Sequence, residues 1–126
     1  MPLDGQAGYG VVARFAHTVG ALLVKRDPQN LTQEFYKADR GGRILVDTGR
    51  NEYSATFAAA YAVRPKRGAP VSAPCTWDEV ERGAVRPAQF TVRTMEARLT
   101  EVSDLWAEMD ETRQSLRGPI AKVGGA

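Results

Sequence analysis

Asp47 is the side chain in this sequence best placed to do chemistry. It closes a short β-branched apolar run, Arg43-Ile-Leu-Val-Asp47. The window from Lys37 to Arg67 around it holds seven basic residues (Lys37, Arg40, Arg43, Arg50, Arg64, Lys66, Arg67) against three acids, Asp39, Asp47 and Glu52. A carboxylate at the end of a strand is a hard oxygen ligand of the kind Mg²⁺ or Mn²⁺ takes alongside substrate phosphates. In two-metal nucleotidyl transfer one ion activates the attacking hydroxyl while the other holds the triphosphate and leaving group. Such a site needs more than one acid. Asp39 stands before a turn and Glu52 in the loop beyond the strand, so Asp47 is the one convincing donor. A strand with a solvated basic rim accounts for the same residues equally well.

Other chemistries find less support. The chain has one cysteine, Cys75, and one histidine, His17, and it has no G-x-S-x-G elbow, which sets aside nucleophilic triads and CxxC zinc sites. His17 has no Cys, Asp or Glu at ligand spacing and reads as an exposed helix-face residue. Gly5, Gly8 and Gly10 match neither nucleotide-loop fingerprint and read as turn glycines.

The 126 residues fall in the one-domain range, and 43% hydrophobic with 25% charged residues is the balance of an ordinary globular protein. The net charge of +2 is unevenly spread. Residues 37–67 carry a net +4, whereas residues 68–126 hold seven basic and nine acidic side chains. A local positive charge of this kind suits contact with a polyanion. No apolar run approaches the roughly 18 residues that span a bilayer, and the N-terminus lacks a secretory pattern. With a single cysteine, a reduced cytoplasmic setting is the expectation.

The elements that must position Asp47 can be drawn from periodicity. Val11, Val12, Phe15, Val19, Leu22 and Leu23 form one apolar stripe, which predicts a helix over 11–25 that stops at Asp27-Pro28. Asn30 with Gln33 reads as a capping box opening a short helix to about Ala38. Arg40-Gly-Gly42 makes a turn into a strand over 43–48. A polar loop follows, then a second strand over 55–63 and a stiff extended segment, Arg64 to Pro74. Thr76-Trp-Asp-Glu79 is a capping box for one or two helical turns ending at Gly83. Residues 87–92 are extended, and a helix from Thr94 or Met95 turns Met95, Leu99 and Val102 inward. A last helix, capped by Ser103, runs from Leu105 to about Leu116. Gly118-Pro119 ends the order, with a mobile tail KVGGA. Trp77 and Trp106 are expected as core anchors.

Several of these segments together resemble one family. Thr32–Arg43, the run Arg43-Ile-Leu-Val-Asp-Thr-Gly-Arg-Asn51, Ala60-Tyr-Ala-Val-Arg64 and Gly68-Ala-Pro-Val-Ser-Ala-Pro-Cys-Thr-Trp-Asp-Glu79 are similar, in order, to the polymerase domain of bacterial ATP-dependent DNA ligase D. That domain belongs to the archaeo-eukaryotic primase superfamily. Phe90-Thr-Val-Arg-Thr-Met95 and Leu99-x-x-Val102-x-Asp104-x-Trp106 resemble its C-terminal end. The resemblance implies an α+β fold, a partial primase-polymerase fold with a small, mostly antiparallel sheet and flanking helices. The whole chain, 1–126, would be a single domain corresponding to the C-terminal half of the polymerase domain.

The implied activity is two-metal nucleotidyl transfer of nucleotides onto DNA ends in end joining. By motif position Asp47 matches a catalytic, metal-binding aspartate. Arg64 matches an arginine gripping the triphosphate, and Arg40 a second basic residue of the nucleotide pocket. Lys66 and Arg67 extend the same phosphate clamp, while Asn51 matches a family position with loop support as its default role. The implied cofactor is Mn²⁺ or Mg²⁺ in a site that this chain leaves incomplete. The family's Asp-x-Asp and histidine motifs would lie upstream of residue 1, so activity is expected only with an N-terminal half, in cis or in trans. Nucleoside triphosphate, DNA ends, ligase and Ku-type end-joining proteins are the implied partners. Self-association through exposed apolar surface and a cytoplasmic, nucleoid-associated location are further expectations. The alternative is a non-catalytic nucleic-acid-binding or structural remnant of the fold.

Overall fold

The computed structural model describes residues 2–123 and divides into two compact units, residues 1–56 with 113–126 and residues 57–112. The first unit is built on helix α1, Tyr9–Arg26, which Gly8 opens in extended backbone. Its apolar stripe is the predicted one, and Lys25 and Arg26 lie in the last turn, where cations suit the negative end of the helix dipole. One buried position is a glycine for a steric reason. A Cβ on Gly20 would stand 2.6 Å from Gln33 Nε2 and 3.0 Å from the Thr48 methyl. A bare backbone there lets the helix approach both segments beside it.

The segment after α1 departs from its predicted helix. The Asn30 amide donates to both Asp27 carboxylate oxygens, at 3.0 and 3.1 Å, and the Gln33 side chain reaches the His17 carbonyl instead of turning back to a cap. Leu31–Thr32 becomes strand β1, pairing in parallel with β2, Ile44–Leu45, in the register Leu31 to Ile44 and Thr32 to Leu45. Backbone bonds from Ile44 N to Asn30 O (2.7 Å) and Val46 N to Thr32 O (2.8 Å) extend the ladder on each side. A single 3₁₀ turn, Lys37–Arg40, and the left-handed pair Gly41 and Gly42 connect the strands. The expected sheet was mostly antiparallel. Among the described residues the one sheet is this parallel pair, and antiparallel pairing occurs only as isolated bridges. The chain is thus a small α+β protein with four α-helices and a two-stranded parallel sheet among its described residues.

The C-terminal part of this unit also differs from expectation. Gln114 pairs with Leu3, and Leu116 is its buried apolar anchor at 3% exposure. Helix α4, Arg117–Val123, carries Gly118 and Pro119 in its first turn, where proline loses no hydrogen bond. The tail predicted to be mobile is therefore helical as far as Val123, and residues 124–126 lie outside the described residues.

In the second unit the predicted strand over 55–63 is absent. Tyr61 takes a left-handed φ of 63°, and only Val63 bridges, to Val71. Helix α2, Trp77–Glu81, has the predicted reciprocal cap: Glu79 N donates to Thr76 Oγ1 at 3.2 Å and Thr76 N to Glu79 Oε2 at 2.9 Å. Helix α3, Met95–Val102, ends at Ser103, whose positive φ turns the chain away. The predicted helix over 105–116 gives way to turns, because the Asp104 carboxylate accepts the Trp106 N–H and seeds a bend. Neither tryptophan is a core anchor; Trp77 is 82% and Trp106 46% exposed.

The accessible surface is 9926 Å² for 13.7 kDa. Even two independent globules sharing that mass would expose only about 8,000 Å². Large apolar side chains such as Phe35, Ile44 and Tyr53 accordingly face solvent.

Candidate functional site

Asp47 lies two residues beyond β2 and is exposed, not at the end of a buried strand as its apolar run suggests. Its Oδ1 accepts the Gly49 N–H at 3.1 Å, a local turn that fixes the carboxylate while leaving Oδ2 open. Asn51 supports this loop, its amide donating to the Thr48 carbonyl at 2.9 Å. The carboxylate lies between two cavities of the first unit. One, of about 330 Å³, is an apolar groove lined by Val12, Phe15, Val19, Leu23, Val46 and Leu116. The other, of about 340 Å³, brings His17, Gln33, Thr48 and Arg50 together with Phe35 and Leu45 around Asp47. No helix among the described residues is long and apolar enough to cross a membrane.

Arg40 belongs to the same unit, where its Nε donates to the Glu34 carbonyl (3.1 Å) and its Nη2 to the Phe35 carbonyl (2.6 Å). Arg43 is also tied down, donating to the Arg40 carbonyl at 2.8 Å. His17, Gln33, Phe35 and Arg50 are cleft residues that sequence reasoning did not place. The usable signal was the adjacent aromatic pair Phe35-Tyr36, which fits no helical stripe and precedes the basic turn.

Arg64, Lys66 and Arg67 lie in the second unit on a hydrogen-bonded hairpin. Tyr61 N donates to Ser72 O, Ser72 N to Ala62 O, and Arg64 N to Pro70 O, all within 2.9 Å. Positive φ at Gly68 and Ala69 closes the tip. All three cations are exposed, and no side-chain acid pairs with them among the described residues. The backbone of this turn is thus fixed while its three cationic side chains stay in solvent.

The base of that hairpin is secured by a buried ion pair. Arg98, 4% exposed, grips both oxygens of Glu79, donates to the Pro74 carbonyl at 3.2 Å and lies over the Phe90 ring at 4.7 Å. Its Nε is buried without a partner. Phe90 O in turn accepts from Val71 N on the hairpin. The Arg98 guanidinium and the Thr76 N–H hold the Glu79 carboxyl at a pKa of about 2, against an ordinary value of 4.5. Because the folded value is depressed, the pair's contribution is complete above the ordinary value and disappears as pH falls from about 4.5 towards 2. Glu79→Gln should flatten the acid limb of a pH titration of tryptophan fluorescence; an unchanged limb would assign acid unfolding to other groups. Nearby, the Tyr61 hydroxyl donates to Asp104 at 2.5 Å. Burial and this carboxylate raise the phenol's pKa, and the phenol's hydrogen bond, followed by the Trp106 N–H, lowers that of Asp104.

The described residues contain no group of three His, Cys, Asp or Glu side chains able to hold a metal ion. Asp47 brings one carboxylate with one oxygen already engaged, so these residues do not by themselves complete a divalent-cation site.

The family model for the LigD primase-polymerase domain matches residues 1–106. The chain is 33% identical over 129 residues to the multifunctional non-homologous end joining protein LigD of Pseudomonas aeruginosa, covering 99% of this chain and 15% of that protein. It is 29% identical over 109 residues to the LigD protein of Mycobacterium bovis, covering 86% of this chain and 14% of the relative. Among solved structures, the polymerase domain of Mycobacterium tuberculosis ligase D, in complex with DNA, matches with a TM-score of 0.79 at 27% identity. That match covers 90% of this chain and 39% of that one. The chain thus spans about one seventh of these full-length relatives and about two fifths of the solved domain.

Proposed function

This chain belongs to the LigD primase-polymerase family, and on that premise we propose that it supplies one wall of a nucleotidyl-transfer centre acting on DNA ends. As a single domain equivalent to the C-terminal half of the polymerase domain, it contributes binding groups and relies on a second segment for the remaining acids. In the transfer, a terminal hydroxyl oxygen bonds to the α-phosphorus of a nucleoside triphosphate, the bond to the β-phosphate bridge breaks and diphosphate leaves. Asp47 serves as one oxygen donor to Mn²⁺ or Mg²⁺. Arg64, Lys66 and Arg67 hold the triphosphate or DNA phosphates, and Arg40 forms part of the nucleotide pocket. Arginine suits this work because its planar fork pairs with two phosphate oxygens at once. Ligase, Ku-type end-joining proteins and a second copy of the chain are the partners this reading supplies, in a nucleoid-associated setting.

The observation that carries the reading is Asp47 itself, held in the turn after β2 and opening on a cleft with an aromatic ring and an arginine at its side. The shortage of acids supports a second reading, a non-catalytic nucleic-acid-binding or structural module, because the described residues hold no group of three His, Cys, Asp or Glu side chains that includes Asp47.

Arg64 gives the first test. Its side chain is exposed, so Arg64→Ala should fold as the parent does. It should bind tripolyphosphate and DNA roughly tenfold more weakly, and the plot of log affinity for duplex DNA against log salt should become shallower by about 0.9. Binding equal to the parent's would remove Arg64 from the phosphate clamp.

A further inference from the structure

The segment 32–36 combines a tightly held backbone with a large aromatic side chain left in solvent. The Glu34 N–H donates to Oγ1 of the buried Thr32 at 3.1 Å, and the Arg40 guanidinium takes the carbonyls of Glu34 and Phe35. The Phe35 ring is nevertheless 67% exposed, and its one aromatic neighbour is Tyr36, edge-on with ring centroids 5.5 Å apart. Three hydrogen-bonded carbonyl and amide positions thus hold the backbone of a ring that meets little protein. The ring lies on the wall of the Asp47 cleft, whose volume of about 340 Å³ falls in the range of small-ligand sites. Arg50, exposed and without a side-chain partner among the described residues, lines the same cleft.

An aromatic face, a cation and a carboxylate in one cleft have the composition of a nucleotide site, in which the ring stacks on the base and the charges serve the phosphates. We propose that Phe35 is a stacking platform for the nucleobase of a nucleotide bound in the Asp47 cleft, and that Arg40 is the positioning residue that sets it. This rests on the nucleotide reading above and sharpens it by moving Arg40 from the phosphate side of the pocket to the base side. Two of its guanidinium N–H groups already go to backbone, and what they hold in place is Phe35. Stacking on a π-face is tolerant of base identity, so the site would take purine and pyrimidine nucleotides alike.

The test uses the full chain with three probes: adenosine triphosphate, adenosine and inorganic tripolyphosphate. Phe35→Ala, an exposed change that spares the fold, should weaken adenosine triphosphate and adenosine between about five- and one-hundredfold, and leave tripolyphosphate within twofold. Phe35→Trp should keep the affinity, and its added fluorescence should respond to adenosine. Arg40→Lys keeps the charge but cannot hold both carbonyls, so it should reproduce the base-dependent loss while sparing tripolyphosphate. Combined with Phe35→Ala it should add little, as expected of coupled neighbours. Adenosine binding that depends on Phe35 in a chain that ignores tripolyphosphate would leave this proposal standing and remove the phosphate clamp. Tripolyphosphate binding with nucleotide affinity indifferent to Phe35 would do the reverse. Equal losses of all probes, no binding of any, or an effect of Phe35→Ala confined to self-association would overturn the stacking role.

Discussion

Replacing Arg98 with alanine should destabilise residues 57–112 by on the order of 3 kcal/mol, the typical cost of removing one partner from a buried ion pair. Arg98 is 4% exposed and links Glu79, Pro74 and Phe90, which lie on three separate segments. Its loss would leave the Glu79 carboxylate facing a vacated apolar space and remove the cation from the Phe90 ring. Arg98→Lys should recover little, since an ammonium cannot span both carboxylate oxygens and the Pro74 carbonyl as a guanidinium does. Both tryptophans, Trp77 and Trp106, lie in this unit, so urea unfolding followed by their fluorescence reports on it directly. A midpoint unchanged within error would show that the pair is replaceable. The consequence for function is a loosened hairpin. Phosphate binding through Arg64, Lys66 and Arg67 should weaken in the variant even at temperatures where it remains folded.

The second large effect concerns Asp47→Asn in an assembly competent for nucleotide addition. Asparagine keeps a carbonyl oxygen that can accept the Gly49 N–H, so the turn after β2 survives, and stability should change by no more than about 0.5 kcal/mol. What is lost is the negative charge. An amide is a poor ligand for a hard divalent cation, and addition should fall by at least about a hundredfold. A rate close to the parent's would place the chemistry elsewhere, and the non-catalytic reading would then stand.

How much of this was legible in the sequence depends on how local each signal is. The stripe from Val11 to Leu23 and the Thr76–Glu79 cap are written within three or four residues, and both elements form as read. Strand β1 was not legible, because Asn30 and Gln33 carry a cap signature. What overrides it is pairing with Ile44–Leu45, together with the demand of Gln33 for the space beside Gly20. The sheet direction follows from the same non-local contact. Arg98 is not one of the inward positions Met95, Leu99 and Val102 that periodicity picks out. Its burial depends on Glu79, nineteen positions away, which no helical period can reveal. That an acid follows the apolar run was readable, but the exposure of Asp47 and its neighbours were not. His17 reaches the cleft from α1 and Gln33 and Phe35 from the segment after β1, and an exposed aromatic leaves no periodic trace. The basic residues divide in the same way: Arg64, Lys66 and Arg67 are open as their composition suggested, whereas Arg40 turned out to be bonded to backbone.

The central claim is that this chain supplies working parts of a nucleotidyl-transfer centre. Its most direct test is reconstitution with a separately produced segment of the polymerase domain that carries the paired Asp-x-Asp acids. Assembly of the two would be verified by co-elution, and nucleotide addition to a DNA end would be followed in Mn²⁺. The account predicts addition from the assembled pair, none from either piece alone, and its loss with Asp47→Asn. A pair that assembles and adds no nucleotide would contradict it.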